Sequence, residues 1–144
     1  MDSIFKVRTS IGVRFSDVDS MGHVNNARFL TYFEEARVAY LKKITPLDFT
    51  NPHWKLSQSL IVASIKIDFL SPAYVGEELE VGIRASRLGN SSFDFDYEIE
   101  SKSDLRPVAK GQSTQVYFDY QSSKSLKISE ELRQAFAKIE GRDL

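Results

Sequence analysis

Cysteine is absent from the 144-residue sequence. Its absence excludes disulfide bonds, thiolate metal sites and cysteine nucleophiles. No apolar run reaches the roughly 18 residues that a membrane-spanning helix needs, and residues 1–8 lack the apolar stretch of a signal peptide. We therefore expect a cytoplasmic protein without a membrane partner.

The sequence also has little net charge, formally −1, and neither a basic tract nor an acidic tail. This balance argues against nucleic acid or an anionic membrane surface as the main partner. A chain of this length can bury one sizeable core but not two. We predict a single domain over residues 1–144.

The spacing of apolar residues predicts one long helix and five strands. Residues 4–15 alternate, with the odd-numbered residues apolar, as in a half-buried strand. Beyond Gly22 the period changes, because apolar residues at 29, 33, 36 and 40 fall on one helical face. Alternation returns in residues 60–70, 78–88, 91–101 and 108–120, and the first of these stretches predicts one face made of Ile61, Ala63, Ile65, Ile67 and Phe69.

The remaining segments predict a connection and a second helix. Residues 45–57 contain Pro46, Pro52, His53 and Trp54 and are too interrupted for regular structure. Ser129 opens a capping-box pattern that predicts a short C-terminal helix. The predicted fold class is therefore α+β, with a long central helix against a five-stranded antiparallel sheet.

The polar stretch before the long helix carries the chemistry. Asp17 and Asp19 are two residues apart, so an extended chain would place both carboxylates on one face. His23 follows, and Asn25 or Asn26 can cap the helix. A helix N-terminus offers unpaired N–H groups that stabilise an oxyanion, and a carboxylate beside it can attack a carbonyl or activate water.

A thioester can be cleaved by a site with so few catalytic groups. Thiols have a pKa of about 8.5, so a thiolate leaves without a strong general acid. The sequence has no Gly-x-Ser-x-Gly nucleophile motif for ordinary ester hydrolysis. Two other interpretations remain open: Asp17, Asp19 and His23 can serve only turns and caps, or they can bind a metal ion, although their spacing matches neither HExxH nor an EF-hand loop. We predict no metal site.

Residues 17–26, DVDSMGHVNN, followed by RFLTYFEEAR at 28–37, resemble the hotdog-fold acyl-CoA thioesterases of the 4-hydroxybenzoyl-CoA thioesterase class. The similarity is greatest to the bacterial long-chain acyl-CoA thioesterase branch. Further similarity lies in IKIDFLSPA at 65–73, GEEL at 76–79 and LGNSSF at 88–93.

The resemblance implies a long helix wrapped by the sheet, and a homodimer or homotetramer with active sites between subunits. It implies an acyl-CoA substrate, of which CoA is a part, and no separate cofactor. Asp19 would be general base or nucleophile, the Asn26 N–H would polarise the carbonyl, and His23 would orient Asp19 or water. Substrate contacts would come from Val24, Asn25, Ser91 and Ser92.

Several alternatives stay open at this point. Plant acyl-carrier-protein thioesterases have a similar stretch, but asparagine stands there in place of Met21, and methionine cannot form the same hydrogen bonds. A non-catalytic acyl-CoA-binding module is a further possibility. A hotdog hydratase fits less well, since its aspartate and histidine are spaced differently. Acyl chain length and the natural carrier are not determined by these residues.

Overall fold

The computed structural model describes residues 1–44 and 60–144. The predicted connection with His53 and Trp54 lies outside the described residues. The regular elements are β1 (Val7–Gly12), α1 (Arg28–Ile44), β2 (Leu60–Phe69), β3 (Glu78–Leu88), β4 (Ser92–Ser101), β5 (Pro107–Asp119), β6 (Lys124–Ser125) and α2 (Glu130–Glu140). None of the described helices is long and apolar enough to cross a membrane.

The strands form one antiparallel sheet in the order β1-β3-β4-β5-β2, and the two-residue β6 pairs with the end of β5. Helix α1 lies across one face of this sheet and buries the face that its periodicity predicts. The predicted α+β class, the five antiparallel strands and the central helix are confirmed.

Close packing between α1 and the sheet depends on a glycine in β5. The Phe33 ring stacks on Tyr97 of β4 with ring centroids 4.1 Å apart. A Cβ atom at Gly111 would lie 2.6 Å from the Phe33 ring, so only glycine leaves room for it. In β4 the odd-numbered residues face α1 and are buried, while the even-numbered residues are polar and half-exposed.

Two predictions about the strands are wrong. The first strand ends at Gly12, and Phe15 is 84% exposed, because residues 15–17 form a 3-10 turn. In β2 a bulge between Val62 and Ser64 shifts the register. Ile61 and Ala63 therefore do not share a face with the later apolar residues of the strand.

Candidate active site

The residues of the predicted motif lie in a loop, residues 13–27, which we call the motif loop. Its centre is a small hairpin, since Val18 and Val24 form an isolated antiparallel bridge. The Asp19 N–H donates to the His23 carbonyl at 3.1 Å, and the Gly22 N–H donates to the Asp19 carbonyl at 3.0 Å. Gly22 has a φ of 84°, a conformation that glycine adopts without strain.

Asp19 is half-buried at the base of this hairpin. Its Oδ1 accepts a hydrogen bond from the Met21 N–H at 2.9 Å, and Asn25 Nδ2 lies 3.5 Å from its Oδ2. The first bond fixes the carboxylate within the turn. Among the residues that the structure describes, the Oδ2 atom has only the one long contact with Asn25, so it keeps acceptor capacity for water or substrate. Met21 points outward and is 76% exposed.

Asp17 points elsewhere: the chain is not extended at this residue, so the two carboxylates do not share the face that an extended chain would give them. Asp17 ends the 3-10 turn of residues 15–17, and its side chain is buried. Its carboxylate accepts hydrogen bonds from the Arg14 N–H, the Tyr32 hydroxyl and the Arg14 guanidinium. Burial alone would raise the pKa of Asp17, but these hydrogen bonds outweigh it and hold the pKa below its usual value.

Asn25 and Asn26 differ in their hydrogen bonding at the start of α1. The Asn25 side-chain oxygen accepts a hydrogen bond from the Ala27 N–H at 2.9 Å, and its carbonyl accepts one from the Arg28 N–H at 2.9 Å. The N–H of Asn26 has no acceptor within hydrogen-bond distance in residues 1–44 and 60–144. An exposed, unpaired donor therefore stands just before the positive end of the helix dipole.

A cleft of about 310 Å³ opens beside this donor. One wall is the motif loop and the start of α1, and the other is the segment that follows β2. The rings of Phe29 and Phe69 meet edge to face at 5.5 Å on its floor. The lining residues are His23, Val24, Asn26, Phe29, Phe69, Leu70, Ser71 and Pro72.

The cleft brings together some of the predicted site residues. His23, Val24 and Asn26 line it, with His23 Nδ1 3.3 Å from the Val24 carbonyl, whereas Asp19 and Asn25 belong to the same loop but are not lining residues. The wall at residues 69–72 was not predicted as part of the site, although it falls in the stretch 65–73 that carries the resemblance.

Ser91 and Ser92 are not near this cleft within one subunit. Ser92 begins β4 and Ser91 precedes it, whereas the motif loop packs at the other end of the sheet, where Val13 bonds to Glu77. The ten residues of β4 separate the two ends by about 30 Å. Ser92 Oγ instead accepts a hydrogen bond from the Arg87 guanidinium at 3.1 Å.

In the described part of the chain, no three histidine or acidic side chains lie close enough together to hold a metal ion. The three residues considered for such a site are separated because Asp17 turns toward Tyr32. Asp19 and His23 remain in the same hairpin.

Comparison with known proteins shows to which family the chain belongs. A model of the thioesterase-like superfamily matches residues 13–136. The long-chain acyl-CoA thioesterase FadM of Escherichia coli is 29% identical over 89% of this chain and 95% of its own. A 1,4-dihydroxy-2-naphthoyl-CoA hydrolase of Synechococcus elongatus is 27% identical over 84% of this chain and 88% of its own.

A solved structure gives the same result for the fold. A thioesterase of Thermus thermophilus, complexed with coenzyme A and Zn, superimposes with a TM-score of 0.86 at 34% identity, covering 99% of this chain and 100% of that chain. The predicted family, fold and enzyme class are thereby confirmed. The chain belongs to the thioesterase-like superfamily of hotdog-fold thioester hydrolases.

Proposed function

We propose that this protein hydrolyses an acyl-CoA or aroyl-CoA thioester to the free acid and CoA in the cleft between the motif loop and residues 69–72. The observation that carries the proposal is the unpaired N–H of Asn26, a residue that lines this cleft and belongs to the same motif loop as Asp19. The coenzyme A complex of the Thermus thermophilus relative supports the choice of carrier.

In this mechanism the thioester carbonyl oxygen accepts a hydrogen bond from the Asn26 N–H. The positive end of the α1 dipole stabilises the negative charge that develops on that oxygen. Asp19 either removes a proton from the attacking water or attacks the carbonyl carbon itself, and His23 orients Asp19 or the water. The C–S bond then breaks and CoA leaves as a thiolate. If water attacked, the free acid is formed in this step; if Asp19 attacked, the resulting mixed anhydride between Asp19 and the acyl group is hydrolysed by water, which releases the free acid and restores the carboxylate.

The walls of the cleft suit an apolar acyl group. Phe29, Phe69 and Leu70 contribute rings and methyl groups next to the proposed carbonyl position. Edge-to-face contacts of the kind that joins Phe29 to Phe69 are also available to an aromatic acyl group. Both alkyl and aryl thioesters therefore belong in a substrate survey.

A homodimer would complete this site. Strand β2 is a ten-residue sheet edge with exposed apolar residues, including Val62 and Phe69, and such an edge pairs readily with a second copy. Antiparallel pairing of β2 with its copy about a two-fold axis would bring the far end of one sheet toward the motif loop of the other subunit. Ser91 and Ser92 would then contact substrate bound in the opposite subunit.

The proposal is tested by thiol release from a panel running from acetyl-CoA to palmitoyl-CoA, with benzoyl-CoA added. The wild-type protein is compared with Asp19→Asn and with Asp119→Asn as a matched control. Asp119 also accepts a hydrogen bond of 2.9 Å from the N–H two residues along, but it is the last residue of β5. We expect activity to fall about 100-fold or more in Asp19→Asn alone.

Each other outcome has a definite meaning. Equal rates for the two variants would exclude Asp19 from the chemistry. Saturable acyl-CoA binding without turnover would identify a binding module. Turnover of acyl-carrier-protein thioesters without turnover of acyl-CoA would identify a different natural carrier.

A further inference from the structure

The cleft wall at residues 70–72 lies outside the regular sheet pairing. The N–H groups of Leu70 and Ser71 both donate to one acceptor, the Val108 carbonyl, at 2.9 and 3.2 Å. Pro72 has no N–H to donate. Backbone hydrogen bonds alone therefore hold this wall only at its start.

Two side chains hold the wall further: Ser71 Oγ donates to the Pro107 carbonyl at 2.6 Å, and Arg106 contacts both Ser71 and Pro72. Its Nε donates to Ser71 Oγ at 3.2 Å, and its Nη2 donates to the Pro72 carbonyl at 3.1 Å. The same guanidinium contacts both carboxylate oxygens of Glu77 at 2.8 Å and Oδ2 of Asp104 at 2.9 Å. One planar group thus joins the wall to the chain that follows it and to the β4–β5 turn.

The β4–β5 turn places Arg106 for these contacts. Leu105 has a φ of 58°, a left-handed conformation that a leucine rarely adopts. Asp104 Oδ1 accepts a hydrogen bond from the Arg106 N–H at 3.1 Å, and the Ser101 N–H donates to the Arg106 carbonyl at 3.0 Å. The N–H and the carbonyl of Arg106 are therefore both hydrogen-bonded, which fixes the backbone from which its side chain extends to the wall.

The segment that Arg106 holds is also bonded to the motif loop at two points. We call residues 70–77 the connector. The Val24 N–H donates to the Ala73 carbonyl at 2.8 Å, just before Asn26. At the other end of the loop, the Val13 N–H donates to the Glu77 carbonyl at 2.9 Å and the Gly76 N–H donates to the Val13 carbonyl at 3.1 Å.

We propose that Arg106 is a positioning residue for thioester hydrolysis, acting through the connector on the placement of the Asn26 N–H. This inference rests on the proposed function of the cleft. Arg106 does not line the cleft, and each nitrogen of its guanidinium already donates to a protein acceptor, so we assign it no direct role in the chemistry. Its effect is to hold the wall and the motif loop at the separation that the reacting carbonyl requires.

Lysine cannot replace Arg106 in this role. A guanidinium presents donors in a fixed planar fork, whereas an ammonium group is a compact point charge. Arg106→Lys keeps the charge opposite Glu77 but cannot reach Glu77, Ser71 and the Pro72 carbonyl in the same geometry. Because a displacement of about 1 Å at a reacting centre can cost about 100-fold in rate, loss of this fork should lower kcat.

The test compares Arg106→Lys with Arg84→Lys. The two side chains are 29% and 28% exposed, and Arg84 also pairs with a carboxylate, that of Asp96, at 3.0 Å. Arg84 lies in β3, and within the described ranges its side-chain hydrogen bonds go to Asp96 rather than to the connector or the motif loop. We expect a fall in kcat of about tenfold or more in Arg106→Lys, with KM within about twofold, and wild-type values in Arg84→Lys.

Amide hydrogen exchange provides a readout that does not depend on turnover. The amides of Val24 and Gly76 form hydrogen bonds between the motif loop and the connector. They should exchange faster in Arg106→Lys than in Arg84→Lys, while amides in the centre of β4 stay protected. Urea unfolding of both variants verifies that each is folded under the assay conditions.

The outcomes separate this inference from the proposed function. Equal kcat values and equal Val24 exchange in the two variants would overturn the positioning role. An inactive wild-type protein would refute the proposed function, and the exchange comparison would still decide whether Arg106 holds the motif loop.

Discussion

The buried Asp17 carboxylate accepts a hydrogen bond of 2.9 Å from the Tyr32 hydroxyl, and this bond joins the motif loop to helix α1. Burial, followed by the contact with Asp17, raises the pKa of Tyr32, so the hydroxyl remains a donor at neutral pH. Asp17 in turn is held ionised by its donors. The pair therefore ties the position of Asp19 to the core of the protein.

Tyr32→Phe should destabilise the protein by about 1–3 kcal/mol, because a buried carboxylate loses a donor. The pKa of Asp17 is lowered in the folded state, so its contribution to stability is present above the unfolded value and is lost as the pH falls through the folded value. Tyr32→Phe removes one of the hydrogen bonds that lower the pKa of Asp17, so the midpoint of acid unfolding should move to higher pH. Circular dichroism during acid titration measures the shift.

Tyr120→Phe is the control for that measurement. Tyr120 is 53% exposed, and its hydroxyl forms no hydrogen bond within the described ranges. A similar shift of the acid midpoint in both variants would contradict a specific role for the bond between Asp17 and Tyr32.

Substitution at Asn26 separates its backbone from its side chain. Asn26→Ala retains the N–H and should keep kcat within about threefold of wild type, whereas Asn26→Pro removes the N–H and should lower kcat about 100-fold or more. Proline is tolerated near a helix start, so α1 can still form. Circular dichroism verifies that it does, and equal kcat values in two folded variants would rule out the N–H as the oxyanion donor.

The end of α2 is fixed to the sheet by a buried acid. Glu140 Oε1 accepts hydrogen bonds from the Tyr40 hydroxyl at 2.7 Å and from the Ala85 N–H at 2.8 Å, next to an irregularity in the pairing of β3 with β4. Glu140→Ala should lower the free energy of unfolding by about 2–4 kcal/mol, because two buried donors lose their acceptor.

Urea unfolding measures this loss, with Gln134→Ala as the control on the same helix. Gln134 is exposed, so its replacement should change stability by no more than about 0.5 kcal/mol. A Glu140→Ala protein as stable as the control would show that α2 is held by its apolar face alone.

The proposed dimer predicts a sensitive position in the middle of β2. Ser64→Lys would place like charges near each other across a two-fold axis, which is unfavourable between paired strands. We expect this variant to sediment as a monomer at micromolar concentration. Ser10→Lys, an exposed residue of the opposite sheet edge, β1, should leave the assembly unchanged. Identical sedimentation of both variants and wild type would place the dimer contact elsewhere.

The sequence by itself determined the main elements of the fold. A helical period from Phe29 to Tyr40 and a two-residue period in Phe93 to Ile99 each arise from burial on one face of one element. Such patterns are local, so they can be detected without knowledge of the neighbouring elements. The resemblance of the motif loop to the hotdog-fold thioesterases likewise predicted the enzyme class before any geometry was known.

Only the tertiary structure decided which of those residues has a structural role and which is placed for chemistry. Asp17 and Asp19 are alike in sequence, but a 3-10 turn sends Asp17 to Tyr32 and leaves Asp19 in a hairpin. Ser91 is separated from the cleft by the length of a strand, and Arg106 approaches the cleft wall from a turn more than thirty residues further along the chain. Hydrogen-bond partners so distant in sequence are set by the packing of elements, and no local pattern of residues encodes them.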